Sequence, residues 1–179
     1  MEITTNKTSL GPTYGLIAGL IICVITLLQY LGGLDMYLSP VGYVSYLVVI
    51  TFAVLAALRL RKINEGFLEF SQALKITFTV FALALLLQTM FNYVLFNFID
   101  QDFKNAVSQE VMNKTEQMMR KFGASDSQID AALESERDKD QFAISRVMLG
   151  YAISCIVAFI FCLLISLIVK KSKPAFNNI

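Results

Sequence analysis

The sequence contains no histidine, the side chain that most often carries out acid–base catalysis and binds transition metals. Such catalysis would therefore depend on Asp, Glu, Lys, Tyr or Cys, and no pair of these lies in a recognisable nucleophile or phosphate-binding motif. The three cysteines lie in apolar segments, where they are expected to be small core residues: Cys23, Cys155 and Cys162. We predict no enzymatic activity, no cofactor and no metal ion.

Charged residues are missing from four long stretches, and this second absence predicts the architecture. No Asp, Glu, Lys or Arg occurs in stretches of 27, 23, 24 and 23 residues: Thr8–Leu34, Met36–Leu58, Ile76–Ile99 and Val147–Val169. A helix of about 20 apolar residues crosses the hydrocarbon core of a bilayer. The sequence therefore predicts an all-α fold, a bundle of four transmembrane helices in one membrane domain. The spans are expected at approximately residues 12–32, 40–58, 74–99 and 147–169.

Basic residues do not form a stripe with interleaved aromatic residues, so nucleic acid is not an expected partner. Eight of the 15 basic residues lie beside the ends of the spans on one side: Lys7, Arg59, Arg61, Lys62, Lys75, Lys170, Lys171 and Lys173. The other seven are spread over residues 100–146, together with ten acidic residues. The positive-inside rule then predicts an inner-membrane protein with both termini in the cytoplasm and residues 100–146 outside it.

Glycine and proline are absent between Gly66 and Gly123, so composition gives no reason for a helix to stop there. We expect the third span to continue as one long helix to about Phe122, reaching ~35 Å from the membrane surface. Apolar residues recur along the emergent part at helical spacing. We call this set the apolar stripe: Phe103, Val107, Val111, Met118 and Phe122.

A second helix is predicted after this one, which makes residues 100–146 a helical hairpin outside the membrane. Gly123 is a typical residue for the end of a helix, and Ser125 with Gln128 has the spacing of a capping box. The second helix has few apolar positions, namely Ile129, Ala132 and Leu133. It should cover the stripe incompletely, and the uncovered part is expected toward Phe103 and Val107. That part would contact the membrane surface, a second copy or a partner protein.

Two sets of residues within the spans are candidates for packing or for a site. Glycines four residues apart in the first span form a flat groove for a neighbouring helix: Gly11, Gly15 and Gly19. The neighbour is either a second copy or, as we prefer, another span of the same chain. Polar amides inside the spans should point into the bundle to avoid lipid: Gln29, Gln88 and Asn92. They are expected to form hydrogen bonds between helices, the alternative being that Gln88 and Asn92 line a transport path.

The segment Arg59–Lys75 carries a resemblance to a known family. It reads Arg-Leu-Arg-Lys-Ile-Asn-Glu-Gly-Phe-Leu-Glu-Phe-Ser-Gln-Ala-Leu-Lys. This segment resembles the Bacteroidota membrane proteins grouped as domain of unknown function 4199, through Gly66, Phe70, Gln72, Ala73 and Lys75. The order of spans and the long third connection extend the resemblance over nearly the whole chain. It implies an inner-membrane location in a Gram-negative bacterium, and it implies no activity.

Three functions are compatible with these features. The first is a non-enzymatic interaction or assembly protein that uses its hairpin to contact a second copy or another membrane protein. The second is a small oligomeric transporter, although no charged side chain lies deep in a span, as proton-coupled carriers usually require. The third is an accessory subunit of a membrane enzyme that acts on lipid-linked substrates. We take the first as the leading hypothesis.

Overall fold

The structure, a computed structural model, describes residues 9–137 and 139–172 of the chain. Two of the basic residues used for orientation, Lys7 and Lys173, lie outside these ranges. The described residues form seven α-helices: α1 (Leu10–Leu31), α2 (Leu34–Tyr37), α3 (Tyr43–Ile63), α4 (Phe70–Val94), α5 (Gln101–Lys121), α6 (Asp126–Arg137) and α7 (Ile144–Val169). A 3₁₀ turn at Pro40–Gly42 leads into α3, and a π-helical turn at Leu95–Ile99 extends α4.

Four of the helical segments are long and apolar enough to cross a membrane, judged by length and composition. They are Leu10–Leu31, Pro40–Ile63, Phe70–Ile99 and Ile144–Val169. The predicted all-α fold with four spanning helices is therefore confirmed. The segments α5 and α6 lie between the third and fourth spans, and we call them together the α5–α6 unit.

Helix α4 is the centre of the bundle, since it contacts α1, α3 and α7, whereas α3 and α7 barely touch each other. Small side chains allow these close helix contacts. Fully buried alanines occur on three helices: Ala18, Ala53, Ala56, Ala57, Ala73 and Ala84. The arrangement leaves a groove between α3 and α7, with α4 as its floor.

The glycines of α1 lie against α4 of the same chain. A Cβ atom added at Gly15 would lie 3.0 Å from Cβ of Leu83 and 3.1 Å from the carbonyl oxygen of Val80. Added Cβ atoms at Gly11 and Gly19 would likewise lie against α4 side chains. All three glycines are buried, so this face is occupied by the chain's own helix and is not free for a second copy.

The single long helix predicted beyond the third span is wrong, because the chain breaks at Asp100. Its backbone is extended, with φ −141° and ψ 89°, and its carboxylate oxygen Oδ1 accepts a 2.8 Å hydrogen bond from the backbone N–H of Phe103. Asp is a favoured N-cap residue because such a bond satisfies a free amide of the first helical turn. A new helix therefore begins at Gln101, although neither glycine nor proline is present.

The turn between α5 and α6 has the predicted chemistry. Gly123 adopts φ +81°, a left-handed conformation that suits glycine, and the N–H of Ala124 donates to the Met119 carbonyl at 3.0 Å. The Ser125 N–H donates to Oε1 of Gln128 at 3.0 Å, and the Gln128 N–H donates to Oγ of Ser125 at 3.4 Å. This is the reciprocal pair of a capping box, and it begins α6 where the sequence predicts.

Candidate functional site

An aromatic cluster holds the first half of α5 against one end of the bundle, which we call the α5 end. The ring of Phe103 packs edge-on against Tyr30 and Tyr37, with ring centroids 4.9 and 5.5 Å apart, and stacks on Phe96 at 6.1 Å. Val107, one turn further along α5, is only 4% exposed. The expectation that the stripe is uncovered at Phe103 and Val107 is therefore wrong, because α1, α2 and the end of α4 cover these residues.

Asp100 connects the start of α5 to α1. Its Oδ2 atom accepts a 2.8 Å hydrogen bond from the Tyr30 hydroxyl, while its other oxygen caps α5. These two bonds hold the pKa of the Asp100 carboxyl below its usual range. The bond from the Phe103 amide is the larger cause, and the bond from Tyr30 is the next. One ionised side chain thus both starts α5 and attaches it to the first span.

Asn97 and Lys104 join the base of α5 to the segment that leads into α7. The Lys104 ammonium lies 2.8 Å from Oδ2 of Asp140 and 3.0 Å from Oδ1 of Asn97. The Asn97 amide in turn donates to the carbonyl of Phe142 at 3.2 Å. The bond to Lys104 keeps the pKa of the Asp140 carboxyl below its usual range. Sequence patterns do not single out Asn97, since two of its partners, Lys104 and Phe142, lie 7 and 45 residues away.

Helix α6 is attached to the beginning of α7 by an ion pair. Nη1 of Arg146 lies 2.6 Å from Oε2 of Glu136, and Nη2 lies 3.3 Å from Oε1 of the same carboxylate. Lys139 adds a third bond to this carboxylate at 3.1 Å. Together they lower the pKa of Glu136 to about 2, with the Arg146 bond as the largest cause. The base of the α5–α6 unit is thus attached to the bundle on both sides.

The far end of the apolar stripe is exposed. Met118 is 59% exposed and Phe122 is 85% exposed, in contrast to the buried Val107 on the same stripe. Helix α6 packs on α5 through Ile129, which is 1% exposed, but it leaves Met118 and Phe122 uncovered. We call these two residues the exposed tip. One continuous stripe is thus covered by the chain's own bundle at one end and bare at the other.

A polar pocket of about 350 Å³ lies at the α5 end of the bundle. It is lined by residues of α1, α2, α3, α4 and the turn before α3: Thr26, Gln29, Tyr37, Leu38, Ser39, Pro40, Gly42, Tyr43, Tyr46 and Gln88. Gln88 donates a long, 3.4 Å hydrogen bond to Oγ1 of Thr26, so it links α4 to α1. Gln29 and Gln88 are thereby brought to one pocket, whereas Asn92 is not among its lining residues.

Three buried polar atoms near this end of the bundle have no hydrogen-bond partner within the described part of the chain. They are Nε2 of Gln29, Oγ of Ser45 and Oδ1 of Asn92. Burying an amide or hydroxyl group without a partner is costly, so such groups call for a physical explanation. Of the three amides expected to form hydrogen bonds between helices, only Gln88 forms one within the described residues, whereas Nε2 of Gln29 and Oδ1 of Asn92 have no partner there.

The residues of the family resemblance form a joint at the opposite end of the bundle. Gly66 turns the chain with φ +90°, and its carbonyl accepts a 3.1 Å bond from Nε of Arg61. Leu68 then exchanges two backbone hydrogen bonds of 2.8 Å with Lys171, at the end of α7. This pairing ties the connection between the second and third spans to the end of the fourth.

Sequence patterns do not single out several residues of the polar pocket. Thr26, Gly42, Tyr43 and Tyr46 lie in charge-free segments, where nothing distinguishes them from ordinary residues of a span. Their position at helix ends was predictable from the span boundaries. Their convergence was not, because it depends on how α3 packs in the angle between α1 and α4.

Most of the chain matches the model of a known protein family. A family model described as a protein of unknown function (DUF4199) matches residues 13–171. The match begins within α1 and ends at Lys171, so it includes the polar pocket, the α5–α6 unit and the joint. No curated protein and no solved structure matches the chain.

Proposed function

The chain belongs to the DUF4199 family of proteins of unknown function, and we propose that it is a non-enzymatic interaction protein of the inner membrane. Its α5–α6 unit binds a second protein through the exposed tip. The observation that carries this proposal is the contrast along one stripe, with Val107 4% exposed and Phe122 85% exposed. Large apolar side chains that are exposed together at one place commonly mark a surface that another molecule covers.

The attachment of the α5–α6 unit supports this role. The ion pair of Glu136 with Arg146 and the bond of Lys104 with Asp140 fix both ends of its base. A binding surface held in one orientation loses less conformational freedom when its partner binds, so affinity improves. The partner is expected to offer an apolar pocket for Phe122.

Charge favours a different protein over a second copy as the partner. Residues 100–146 contain ten acidic and seven basic side chains, so two copies side by side would repel each other. The same excess of acid is complementary to a basic surface. A membrane protein with an apolar pocket and an otherwise basic surface fits both properties.

Our proposed orientation places both termini in the cytoplasm and the α5–α6 unit in the periplasm. Arg59 and Arg61 lie in the last two turns of the second span and Lys75 in the first two turns of the third, at the same end of the bundle as the joint, which supports this orientation. A reporter that is active only outside the cytoplasm should be active after Gly123 and inactive at the C-terminus. The opposite pattern would reverse the orientation.

A transport role receives less support from the geometry. Gln88 forms a hydrogen bond with Thr26. Between Gln88 and the centre of the bundle, the core is filled by side chains that are fully buried: Ile22, Val80 and Ala84. These contacts favour a structural role for Gln88 over a place along a path.

Site-specific photo-crosslinking in the native cells tests the proposed function. A benzophenone amino acid at position 122 should yield one discrete protein adduct, whose mass and peptides show whether it is another protein or a second copy. The matched control is position 109, because Gln109 is exposed on α5 but lies off the apolar stripe. Equal adducts at both positions, or lipid adducts alone at position 122, would refute protein binding by the tip.

A further inference from the structure

We propose that the polar pocket binds the uncharged, hydroxyl-bearing head of a membrane lipid, whose acyl chain lies in the groove between α3 and α7. This ligand site is separate from the exposed tip and does not depend on the function proposed for it. Four properties of the pocket support the proposal: an unpartnered amide, a neutral lining, its level in the bundle and its continuity with an apolar groove.

The unpartnered amide belongs to Gln29. This side chain is 5% exposed, and its Nε2 atom has no hydrogen-bond partner within the described residues. Gly42 lies beside it in the pocket lining, and a Cβ added there would be 3.6 Å from Nε2. A hydroxyl oxygen of a bound head group would accept the hydrogen bond that Nε2 does not make. The wall of the pocket thus contains a buried donor for which the described residues supply no acceptor.

The neutral lining selects the chemistry of the head group. The pocket is formed by amides, hydroxyls, aromatic rings and apolar side chains, and none of its lining residues is charged. Lys114 is not among the lining residues, although its ammonium donates a 3.5 Å bond to the carbonyl of Leu38, which is one of them. A phosphate buried among neutral groups would lose its hydration without gaining a cation. Sugar or glycerol hydroxyls, by contrast, are well matched to amides and hydroxyls.

The pocket lies at the depth in the membrane where lipid head groups are found. Gln29 lies in the last turn of α1, Tyr43 begins α3, and Gln88 is in the last third of α4. The pocket therefore sits where three spans approach one surface of the bilayer. Tyrosine is enriched at that level of membrane proteins, since its ring is apolar and its hydroxyl is polar.

An apolar groove continues from the pocket toward the middle of the bundle. Tyr46 lines the pocket and also a cavity of about 120 Å³ in this groove. The cavity is otherwise lined by α4 and α7: Phe81, Leu85, Ile153, Ser154, Val157, Ala158 and Phe161. From Gln88 to Phe81 the axis of α4 advances ~10 Å toward the bilayer centre. Because α3 and α7 barely touch, the groove opens sideways, where an acyl chain can enter from the bilayer.

The test uses the purified full-length chain in a mild detergent and measures the midpoint of thermal unfolding. Monoglucosyl diacylglycerol is expected to raise this midpoint, and more so than diacylglycerol or phosphatidylglycerol at the same concentration. Methyl glucoside, which has the head but no chain, should have no effect at that concentration. An equal rise with phosphatidylglycerol would refute the preference for an uncharged head group. An equal rise with methyl glucoside would refute the requirement for an acyl chain. An absence of any rise would overturn the site.

Two variants and one control separate binding from packing. Gln29→Leu removes the unpartnered donor, so it should raise the midpoint without ligand and weaken binding about tenfold. Gly42→Leu places a side chain in the pocket and should abolish the ligand-induced rise. Gly150→Leu on α7 is the control, because an added Cβ there meets nothing within 4 Å, and binding should be unchanged.

The response of Gln29→Leu decides the outcome even if Gly42→Leu fails to fold. A lower midpoint without ligand would show that Gln29 has a structural role. Unchanged affinity for monoglucosyl diacylglycerol would show that its amide does not contact the head group. Either result would overturn the proposal.

Discussion

Single polar side chains decide how the α5–α6 unit is joined to the bundle. Asp100 caps α5 and accepts a bond from Tyr30, while Glu136 binds Arg146 at the start of α7. Both carboxyls have pKa values below their usual range because these donors stabilise the ionised form. The position of the unit should therefore depend on the ionisation of a few carboxyl groups.

Acid should weaken the attachment of α6. The pKa of Glu136 is lowered from 4.5 to about 2 in the folded protein. The stability that its ion pair adds to the folded protein is therefore fully present above pH 4.5 and is lost as pH falls toward 2. Relative to wild type, Glu136→Gln should lower the thermal midpoint at pH 6, and this difference should shrink as pH decreases to 2.

The matched control for this experiment is Glu134→Gln, because Glu134 is exposed and forms no ion pair within the described residues. Its difference from wild type should be small at every pH. A Glu136→Gln difference that stays constant between pH 6 and pH 2 would contradict the assigned ion pair. High salt should also reduce the effect, since Glu136 is accessible to solvent.

At the scale of helices, the sequence was informative about spans and turns but not about the break at Asp100. Charge-free runs predict spans because lipid excludes ionised side chains, and Gly123 with Ser125 predicts a turn through local chemistry. Asp100 carries a local cap signal too, but it lies between two apolar segments with helical spacing. Its role depends on Tyr30, 70 residues away, and sequence patterns do not report such a contact.

The packing of α1 on α4 should be sensitive to the size of residue 15. A side chain at Gly15 would collide with the backbone of Val80 and with Leu83. Overpacking of this kind costs about 1–3 kcal/mol, so Gly15→Leu should lower the free energy of unfolding by that amount. Gly150→Leu should be tolerated, because Gly150 has open space around it. Equal unfolding midpoints for both variants in detergent would refute the close approach.

The middle of the apolar stripe should behave as a packing surface. Val111 is half-buried and packs on the cluster around Phe103, whereas Gln109 and Lys114 are exposed. Val111→Asp would bury an unpaired carboxylate or open the contact, and we expect a loss of about 1–3 kcal/mol. Gln109→Asp and Lys114→Asp should each change the free energy of unfolding by less than about 0.5 kcal/mol. Similar losses at all three positions would show that the stripe does not pack.

At the scale of the whole molecule, the two halves of the stripe have different roles that the sequence could not separate. Periodicity identifies the stripe but treats Phe103 and Phe122 alike. The difference arises because α2 and the aromatic residues at the ends of α1 and α4 cover only the half near the bundle. The surface left bare is a property of the assembled fold, and the proposed partner site is located on it.

The mass of the complex extracted from the native membrane in a mild detergent tests binding through the exposed tip most directly. The wild-type chain should elute with the mass of a stoichiometric complex with one other protein. The double variant Met118→Ser, Phe122→Ser should elute with the mass of the chain alone. The variant should keep the wild-type unfolding midpoint, since both side chains are exposed. A wild-type chain that weighs as a monomer, or a double variant that retains the complex, would contradict binding through the exposed tip.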